Sequence, residues 1–362
     1  MKICIVTGGT GGHIYPAVSL VHALLDQDPT HEVFFIGNND RMEATEIPAL
    51  GFDFIGLPAK GFNGSFLAKF AALNALMKSR SLALDLLRQR KPDIVIGFGG
   101  YVCVPVLQAA FTLKIKTMLH EQNSVVGKAN RVVMGKVDAI VCAYEANLSV
   151  FPKEKTRLLG NPRTYEIKHH QTTLNMHETY GLDPHLPTVL IVMGSLGSES
   201  VNVLMPEALE MFSQANIQVI YVTGKKHYDE FIKDVKPLKH VVVTPYVDQL
   251  ALMPQIDLMV CRGGATTAAE LTVLEVPSII IPSPYVPNNH QYHNAKALFD
   301  AKASELIQEK DLNADALFER VKSLISNPER LKAMRSNSKN LAKANAAEDM
   351  IRWINELVYG KR

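Results

Sequence analysis

The amino-acid sequence predicts an α/β protein made of two Rossmann-like domains, each a doubly wound parallel sheet, that face each other across a cleft. Three observations support this fold class. Short apolar runs alternate with helical stretches, glycine turns follow four of these runs, and the second half of the chain repeats the plan of the first. A chain of 362 residues is also too long for one ordinary hydrophobic core. We expect ligands at the carboxyl ends of the strands, where the glycine turns lie.

One stretch shows the repeating unit most clearly. Leu258–Cys261 is apolar throughout, as expected of a parallel strand that is buried on both faces. Two glycines interrupt the run, and Thr266 and Thr267 are expected to cap a helix over residues 268–274. Backbone N–H groups beside glycines and the positive end of a helix dipole both attract anions. The stretch therefore predicts a phosphate-binding site.

Two charged residues in the same stretch make this predicted site more selective. Arg262 can supply a fixed cation beside a diphosphate. Glu270 lies one turn into the predicted helix, where its carboxylate can accept hydrogen bonds from two ribose hydroxyls. In the alternative interpretation, Glu270 only complements the dipole of its own helix and Arg262 is solvated, because such units also occur in α/β folds without ligands.

The remaining elements follow from the same patterns. A glycine loop over residues 7–12 precedes a helix over 14–25, and a second glycine turn follows a strand within 91–98. Residues 160–163 indicate a turn, the polar stretch 166–186 a linker, and residues 314–359 a region that is helical throughout. The other predicted strands are Lys2–Val6, 33–36, 116–119 and Ala139–Cys142 in the first half, and 188–193, Gln218–Val222, Val241–Thr244, Leu258–Cys261 and 278–281 in the second.

An internal duplication relates the two halves. The glycine turn after Asp93 aligns with the turn after Asp257 at a constant offset, whereas the first loops, at Thr10 and Ser195, align at a larger one. The first half therefore contains extra residues, which we place between positions 57 and 91. Paired glycine turns in both halves are what two Rossmann-like domains require.

The extra residues coincide with a concentration of positive charge. Between positions 60 and 91 the chain has seven basic residues and one acid, although its net charge is only +2. A helix with an apolar stripe bordered by Lys and Arg suits an anionic membrane surface, but the same pattern fits a core-facing helix with a solvated basic face. The apolar residues at helical spacing are Phe66, Phe70, Leu73 and Met77. The membrane interpretation, which the phenylalanines favour, assigns docking to Phe66, Phe70, Lys69, Lys78 and Arg80.

The first glycine loop is the most specific local motif. It has four glycines around Thr10 and ends with His13. It is not a dinucleotide fingerprint, because Ile14 stands where GxGxxG needs its last glycine, and it lacks the Gly-Lys-Ser/Thr ending of a P-loop. A helix dipole disfavours the imidazolium form of His13, so the neutral ring can act as a base. The alternative is a histidine that only caps the helix or packs.

Composition and cysteine usage exclude several classes of protein. Apolar residues make up 47% and charged residues 20% of the chain, as in soluble globular proteins. Its four cysteines are scattered without a CxxC pair, which argues against a disulfide framework and a zinc site. The apolar run after Lys2 is too brief for a signal peptide, and no apolar run approaches the ~20 residues of a membrane span. We expect a cytosolic chain that can still contact a membrane.

Taken in order, the motifs resemble one family. The runs are GGTGGHIYP, GGY, HEQN, GNPR, GSLG, CRGGA with Glu270, and NNHQ. Together they resemble the MurG family of bacterial N-acetylglucosaminyltransferases, in glycosyltransferase family 28, whose members make lipid II. The resemblance covers essentially the whole chain.

The resemblance implies a GT-B fold with a defined division of labour. Residues 1–163 would form the domain that binds the acceptor, lipid I, and docks on the membrane. Residues 164–344 would form the domain that binds UDP-N-acetylglucosamine (UDP-GlcNAc). Residues 345–362 would form a C-terminal helix that packs back toward the first domain.

The resemblance also implies roles for individual residues in donor binding. The backbone of Val247 would read the uracil edge, Glu270 would hold the ribose, and Gln291 the donor sugar. Two positions depart from the family pattern: His290 replaces a second glutamine of some members, and Met193 precedes Gly194 where glycine is usual. The diphosphate would contact Ser195, Arg262, Ala265, Thr266 and Thr267, and the site would be completed by Thr10, Gly11, Gly12, Asn123 and Arg163.

The implied reaction is an inverting transfer. The C4 hydroxyl of N-acetylmuramic acid in lipid I (undecaprenyl-pyrophosphoryl-MurNAc-pentapeptide) attacks C1 of the donor sugar and expels UDP. His13 is our choice of base, with Glu121 and Tyr101 as helpers. We expect no metal or other cofactor, because the helix start and basic residues can stabilise the leaving diphosphate, and the Asp26-Gln27-Asp28 run lies in a solvated turn.

The resemblance further implies a place in the cell. Its members act in peptidoglycan synthesis, cell-wall biogenesis, cell shape and cell division. We therefore expect a peripheral protein on the cytoplasmic side of the cell membrane, whose partners are UDP-GlcNAc, lipid I, the inner leaflet and cell-wall or division proteins, and not nucleic acid.

Other functions stay open from the residues alone. One is a different UDP-sugar transferase with a membrane-lipid acceptor, such as a diacylglycerol glycosyltransferase, and another is a UDP-sugar epimerase. A third is an NAD-dependent oxidoreductase, for which Asp40 lies near the place of a ribose-binding acid but the glycine spacing fails. A fourth is a membrane protein that binds a nucleotide sugar without catalysis, which His13 argues against.

Overall fold

The computed structural model describes residues 1–61, 66–194 and 197–360, apart from the side chains of residues 66–69 and 234. The chain divides into two compact units. The first unit consists of Met1–Glu166 together with the end of the chain from Lys343, and the second is Ile167–Ala342. Each unit contains one parallel sheet, so the predicted α/β class with two Rossmann-like domains is confirmed.

The elements of the described residues are numbered in chain order. The strands are β1 Lys2–Val6, β2 Glu32–Asn38, β3 Asp53–Leu57, β4 Ile94–Gly97, β5 Lys116–Glu121, β6 Ala139–Cys142, β7 Thr156–Leu158, β8 Thr188–Val192, β9 Gln218–Val222, β10 Val241–Thr244, β11 Leu258–Cys261, β12 Ser278–Ile280 and β13 Ser304–Leu306. The α-helices are α1 Gly11–Gln27, α2 Glu43–Ala49, α3 Phe66–Arg90, α4 Cys103–Thr112, α5 Lys128–Val133, α6 Thr164–His169, α7 Met176–Tyr180, α8 Glu199–Asn202, α9 Met205–Gln214, α10 Tyr228–Asp234, α11 Gln249–Leu252, α12 Ala265–Val273, α13 His290–Asp300, α14 Ala314–Ile325, α15 Pro328–Leu341 and α16 Ala346–Tyr359.

Both sheets reverse their strand order at one place. In the described part of the first unit the order is β3-β2-β1-β4-β5-β6-β7, and in that of the second it is β10-β9-β8-β11-β12-β13. The reversals fall between β1 and β4, where Val6 pairs with Gly97, and between β8 and β11, where Val192 pairs with Cys261. A glycine turn follows each of these four strands. Ligands of doubly wound sheets bind at this position, because the loops on either side diverge there.

The first strand shows how the first sheet is buried on both faces. Ile3 and Ile5 belong to a core with residues of α1 and α16, whereas Cys4 and Val6 belong to a core with residues of α3 and α4. All four side chains have no exposed surface. Side chains alternate between the faces of a strand, so an unbroken apolar run fills both cores.

The last helix of the chain completes the first unit. Met350 and Ile354 of α16 are fully buried in the same core as α1. The guanidinium of Arg157 lies 4.2 Å from the ring centroid of Trp353 and pairs with Glu356 at 2.9 Å. These contacts join α16 to the strand β7 of the same unit.

The second unit has a core of the same kind. Val189 and Ile191 of β8 pack in one cluster with Val260 of β11, and α9 and α14 contribute further residues such as Phe212 and Leu317. All five side chains have no exposed surface. The apolar runs of these strands are therefore buried, as the sequence predicts.

Two predicted helix starts are wrong. α1 begins at Gly11 with Thr10 as its N-cap, so Gly11 and Gly12 are helical and not part of a loop. α12 begins at Ala265 with Gly264 as its N-cap, so the prediction that threonines 266 and 267 cap this helix is wrong. The backbone of Gly264 is already extended, with φ −69° and ψ 141°, and the helix follows directly. Threonine is favoured at N-caps, but glycine is also accepted there, so the preference alone does not fix the start of the helix.

Some short elements were not predicted. β3, β7 and β13 are edge strands of their sheets, and none is a continuous buried run. Each of the three contains polar or partly exposed residues, so the unbroken apolar run that predicts a buried strand is missing. The predicted linker contains α6 and α7, and the region predicted to be helical from 314 to 359 is divided into α14, α15 and α16.

No helix in the described ranges is both long enough and apolar enough to cross a membrane. All four cysteines lie in those ranges, and each is buried and free of disulfides. Burial raises the pKa of the Cys103, Cys142 and Cys261 thiols to about 12. These thiols are therefore poor nucleophiles.

A pH-dependent ion pair joins α1 to α6. His22 Nδ1 lies 2.5 Å from Glu166 Oε1, and this hydrogen bond raises the pKa of His22 above its ordinary value. A raised histidine pKa stabilises the fold below the unfolded pKa of about 6.5, and the contribution is lost as the pH rises through the folded pKa.

We predict that His22→Gln lowers the free energy of unfolding of the first unit near pH 6 but not near pH 9. The loss should stay below about 1 kcal/mol, because the His22 and Glu166 side chains are 39% and 28% exposed and solvent screens the pair. Urea unfolding at both pH values measures it. An equal loss at both would show that packing of the ring, and not its charge, is responsible.

Candidate active site

In the first unit, two glycine turns touch where the strand order reverses. Gly9 has φ +94°, and Gly99 and Gly100 have φ +111° and +87°. A Cβ on Gly100 would lie 2.7 Å from the carbonyl oxygen of Gly8. Glycine is required here both for the positive φ and for this close approach. The turns after β1 and β4 therefore form one continuous backbone surface.

His13 lies on this surface, in the first turn of α1. Its Nδ1 is 2.8 Å from the carbonyl oxygen of Gly8, which can only accept a hydrogen bond. Nδ1 therefore carries the proton, and Nε2 is the nitrogen that can accept one. The ring lies against the second turn, because a Cβ on Gly99 would be 2.8 Å from Nε2. The geometry gives His13 the tautomer that a general base at Nε2 needs.

A buried carboxylate, which sequence reasoning missed, holds the first loop. Glu43 of α2 has no exposed surface, and its Oε2 accepts a hydrogen bond of 3.0 Å from the N–H of Gly9. Its Oε1 accepts from the N–H and the Nδ2 of Asn38, both at 2.9 Å. In the sequence Glu43 is only one acid among polar residues after β2, with no motif to single it out.

Glu121 organises the neighbouring turn after β5. It is 1% exposed, and its carboxylate accepts from the N–H of Asn123 at 3.1 Å, the N–H of Gly127 at 2.8 Å and Nδ2 of Asn130 at 2.8 Å. All of these donors belong to the chain itself. The geometry therefore favours a structural task, the presentation of Asn123, over the proton transfer that the sequence suggested for Glu121.

Further aromatic and basic residues of the first unit lie near these turns. His120 is buried, its Nε2 donates to the carbonyl of Gly160 at 2.9 Å, and burial lowers its pKa to about 4. It is therefore neutral at physiological pH. The Tyr101 ring packs on Gly61, where a Cβ would be 2.5 Å away. The guanidinium of Arg163 lies 5.7 Å from the ring centroid of Tyr15.

In the second unit, the turn after β8 is held against β9. Gly194 and Gly197 have φ +87° and +74°, and a Cβ on Gly197 would lie 2.0 Å from the carbonyl oxygen of Thr223. Only glycine fits at position 197. Ser195, predicted to bind the diphosphate, lies outside the described residues, so its predicted role stays a prediction.

The start of α12 has the features of an anion site. No side chain caps the helix, so the N–H groups of its first turn, from Ala265 to Thr267, have no intrahelical partner. Thr266 Oγ1 is buried and has no hydrogen-bond partner in the described part of the chain. Gly263 allows a close approach, because a Cβ there would be 2.3 Å from the carbonyl oxygen of Gln291. An anion at this helix start would meet both the dipole and these donors.

Glu270 is oriented by a residue that sequence reasoning missed. It is 4% exposed, and Gln249 Nε2 donates to its Oε2 at 2.8 Å. The carboxylate of Glu270 is therefore fixed in a buried position, and its predicted role as a ribose ligand stays a prediction. Nearby in the sequence, Val247 is 6% exposed and Tyr246 is 64% exposed, with Lys225 Nζ 5.3 Å from the Tyr246 ring centroid.

Gln291 and His290 begin α13. The side-chain oxygen of Gln291 accepts a hydrogen bond from the N–H of Ser283 at 2.9 Å. Its amide nitrogen is therefore the group that can donate to a ligand. His290 Nδ1 donates to the carbonyl of Pro287 at 2.8 Å. This bond gives His290 a local structural partner.

Arg262 is held by partners within its own unit, so the alternative in which it is solvated is wrong, whereas its predicted place beside a diphosphate stays a prediction. Its Nη1 pairs with Glu309 at 2.6 Å and donates to the carbonyl of Ile281 at 3.1 Å, and its Nη2 donates to Ser198 Oγ at 2.6 Å. Ser200 Oγ also donates to Glu309, at 2.7 Å. The Arg262 and Glu309 side chains are 10% and 11% exposed. Arg262 therefore links β11 to the start of α8 with its charge neutralised.

In the described ranges, no group of three or more His, Cys, Asp or Glu side chains is placed to hold a metal ion.

Comparison with known proteins gives consistent matches over the whole chain. The model of the glycosyltransferase family 28 N-terminal domain matches residues 3–142, and that of the C-terminal domain matches residues 188–350. A relative from Oenococcus oeni is 38% identical over 99% of this chain and 98% of its own length. A relative from Bacillus cereus is 36% identical over 99% of this chain and its whole length. Both are named UDP-N-acetylglucosamine–N-acetylmuramyl-(pentapeptide) pyrophosphoryl-undecaprenol N-acetylglucosamine transferase.

Solved structures share the fold. The crystal structure of MurG from Acinetobacter baumannii is 24% identical, with a TM-score of 0.78 over 98% of this chain and all of its own. A UDP-GlcNAc 2-epimerase from Neisseria meningitidis, bound to UDP-GlcNAc, is 14% identical, with a TM-score of 0.69 over 98% of this chain and all of its own. Transferases and epimerases thus occur on one architecture, and the fold alone does not separate them.

The buried pair of Arg262 generates a stability prediction. Glu309→Gln should lower the free energy of unfolding of the second unit by about 3–5 kcal/mol, because it leaves the guanidinium buried without its counter-charge. Glu275→Gln is the matched control, since Glu275 pairs with Lys339 at the surface, with 39% and 71% of the two side chains exposed, and should cost under about 1 kcal/mol. Urea unfolding of the two variants measures both free energies. Equal and small losses in the two variants would contradict a buried ion pair between Arg262 and Glu309.

Proposed function

The chain belongs to glycosyltransferase family 28, and we propose that it transfers N-acetylglucosamine from UDP-GlcNAc to the C4 hydroxyl of the N-acetylmuramoyl group of lipid I. The products are UDP and lipid II, the precursor of peptidoglycan. The observation that carries this conclusion is the identity of 36–38% with relatives of that named activity over 99% of the chain. The chain is a UDP-GlcNAc-dependent glycosyltransferase of cell-wall biogenesis.

We assign the donor nucleotide to the second unit. The buried carboxylate of Glu270, held by Gln249, suits the two hydroxyls of a ribose. The uracil edge would meet the backbone at Val247, and the amide nitrogen of Gln291 would meet the donor sugar. Each assignment follows the family resemblance and agrees with the burial and hydrogen bonds of these residues.

The leaving diphosphate needs stabilisation, because negative charge grows on it as the bond to C1 breaks. The unpaired N–H groups at Ala265–Thr267 and the Thr266 hydroxyl supply donors and the positive end of the α12 dipole. Ser195 is proposed to add a further donor. Arg262 would act mainly by shaping this site, because Glu309 already neutralises it.

His13 is proposed to be the general base. Its Nδ1–H is fixed on the carbonyl of Gly8, so Nε2 can take the proton of the acceptor hydroxyl. Asn123, presented by Glu121, and Tyr101 lie on turns of the same sheet edge and would orient the acceptor sugar. The proposed remainder of the site is Thr10, Gly11, Gly12 and Arg163.

A transfer assay with UDP-GlcNAc and lipid I tests the function. His13→Ala should lower turnover by at least ~100-fold and leave the affinity for UDP-GlcNAc unchanged, because the base does not hold the donor. His22→Ala, in the same helix but paired with Glu166, is the control and should retain turnover. If donor affinity fell in step with turnover, His13 would instead be a diphosphate ligand.

The same assay separates the epimerase alternative. A transferase consumes UDP-GlcNAc only when the acceptor is present, whereas an epimerase converts it to another UDP-sugar without any acceptor. Conversion without lipid I would overturn the proposed function.

We also propose that the enzyme works as a peripheral protein on the cytoplasmic face of the membrane, because its proposed acceptor is a membrane lipid. On α3, Phe70, Leu73 and Met77 are 59%, 44% and 56% exposed, so these three do not face a core. Lys78 and Arg80 are exposed beside them. An apolar face bordered by cations suits an anionic bilayer. The side chains of Phe66 and Lys69, also assigned to docking, lie outside the described ones.

We predict that Phe70→Ser combined with Leu73→Ser weakens binding to anionic liposomes by at least ~10-fold, because it removes apolar area from the docking face. Transfer to a soluble acceptor analogue should be unchanged. Leu82→Ser, an exposed residue further along the same helix, is the matched control. A parallel loss of binding and of transfer to the soluble analogue would assign the two residues to the stability of α3.

A further inference from the structure

One peptide group connects the buried acid Glu43 to His13. The carbonyl oxygen of Gly8 accepts the Nδ1–H of His13 at 2.8 Å. The N–H of the same peptide, that of Gly9, donates to Glu43 Oε2 at 3.0 Å. The carboxylate, the peptide group and the imidazole therefore form one continuous chain of hydrogen bonds within the first unit.

The space around Glu43 is built for a carboxylate. A Cβ on Gly8 would lie 2.7 Å from Glu43 Oε1, and a Cβ on Gly37 would lie 2.6 Å from Glu43 Cγ. Two glycines thus make room for this side chain. Its hydrogen-bond partners in the described part of the chain are the neutral donors of Gly9 and Asn38, and it forms no ion pair there. The charge is therefore not neutralised locally.

The chain of hydrogen bonds has an electrostatic consequence. A carboxylate bonded to a peptide N–H polarises that peptide, and the carbonyl on its other side becomes a stronger acceptor. A stronger acceptor at Nδ1–H favours positive charge on the imidazole, as does the negative charge of Glu43 itself. Both effects increase the tendency of Nε2 to take a proton.

We propose that Glu43 is a positioning residue that acts on His13 through the Gly8–Gly9 peptide, fixing its tautomer and increasing the basicity of Nε2. The inference rests on the proposed role of His13. In the transfer step, the acceptor O–H proton passes to Nε2 while the oxygen electron pair forms the bond to C1. The C1–O bond to UDP breaks, and its electron pair stays on the diphosphate.

Two other titratable or charged groups near His13, His120 and Arg163, do not make its ring more basic. His120, on β5, is neutral at physiological pH, since burial lowers its pKa to about 4. Arg163, which stacks on Tyr15 of α1, is a cation and would oppose protonation of the ring. Glu43 is the acid that the hydrogen bonds connect to His13.

Direct titration of His13 tests the proposal without depending on activity. The protein is labelled with 13C at histidine Cε1, and the His13 signal is assigned as the one that His13→Gln removes. In Glu43→Gln we expect the midpoint of the His13 titration to fall by about 0.5 pH unit or more. An unchanged or higher midpoint overturns the proposal, because an acid that only braces the loop would not move it downward.

Asp138→Asn is the matched control. Asp138 accepts from the N–H of Thr117 at 2.8 Å and from its hydroxyl at 2.7 Å, so it too is a carboxylate that holds backbone of this sheet. It lies at the amino end of β6, away from the glycine turns. The His13 midpoint should be that of the wild type in this variant. A similar fall there would make the shift a general effect of lost stability and overturn the proposal.

The pH dependence of transfer gives the second readout. In Glu43→Gln the acidic limb of kcat/KM should move to lower pH with the titration midpoint, and the plateau should fall about 3- to 10-fold as the base weakens. A fall in the plateau without movement of the acidic limb would give Glu43 a purely structural role and overturn the proposal. A wild type that titrates as expected but transfers no sugar would overturn the proposed function and leave the hydrogen-bonded link between Glu43 and His13 intact.

A second variant covers the case in which Glu43→Gln does not fold. Asn38→Ala keeps the carboxylate but removes one of its donors, the Nδ2 at 2.9 Å. The carboxylate then bonds more strongly to Gly9, so the His13 midpoint should rise. A midpoint equal to or below that of the wild type overturns the proposal.

Discussion

The close contact between the glycine turns after β1 and β4 is the constraint on which the first unit depends. The carbonyl of Gly8 is only accessible to His13 because Gly100 has no side chain to displace it, and a Cβ there would be 2.7 Å away. The two turns lie side by side because β1 and β4 are adjacent at the reversal of strand order. Sheet topology, a positive φ and one missing Cβ together decide which nitrogen of His13 carries the proton.

The two units use the same topology for different chemistry. In the first, the donor at Gly9 is already bonded to the chain's own carboxylate, Glu43, so part of the loop is satisfied from within. In the second, the first-turn N–H groups of α12 have no intrahelical partner and no N-cap side chain, and the Thr266 hydroxyl has no partner in the described residues. This difference fits an acceptor site in one unit and a diphosphate site in the other, although the duplicated sequence makes the loops look equivalent.

Much of the fold could be predicted because buried parallel strands are written as unbroken apolar runs. Gln218–Val222 and Leu258–Cys261 are buried throughout and were predicted to the residue. The edge strand Val241–Thr244 was predicted too, because it keeps three consecutive valines, whereas the edge strands β3, β7 and β13 contain polar or partly exposed residues and lack the signal. The position of His13 at a helix start was predicted, but its tautomer was not, because it depends on how the loop bends back.

The residues that sequence reasoning missed share one property, which is a partner far away along the chain. Glu43 is 34 residues from Gly9, Gln249 is 21 from Glu270, and Glu309 is 47 from Arg262. No local pattern marks an isolated Glu or Gln as the partner of a loop that distant. Arg262 is an example, because the sequence indicates a cation for a diphosphate but gives no sign of the ion pair that it forms with Glu309.

The membership of α16 in the first unit has a consequence for biosynthesis. The second unit, Ile167–Ala342, is a continuous segment, whereas the first is closed only by the chain from Lys343 onward. Met350 and Ile354 fill the core around β1, so that core stays incomplete until α16 has left the ribosome. Domains usually mature from the amino terminus during translation. Here the second unit is complete in the emerging chain before the first, and a nascent chain stalled before α16 would expose the apolar face of α1.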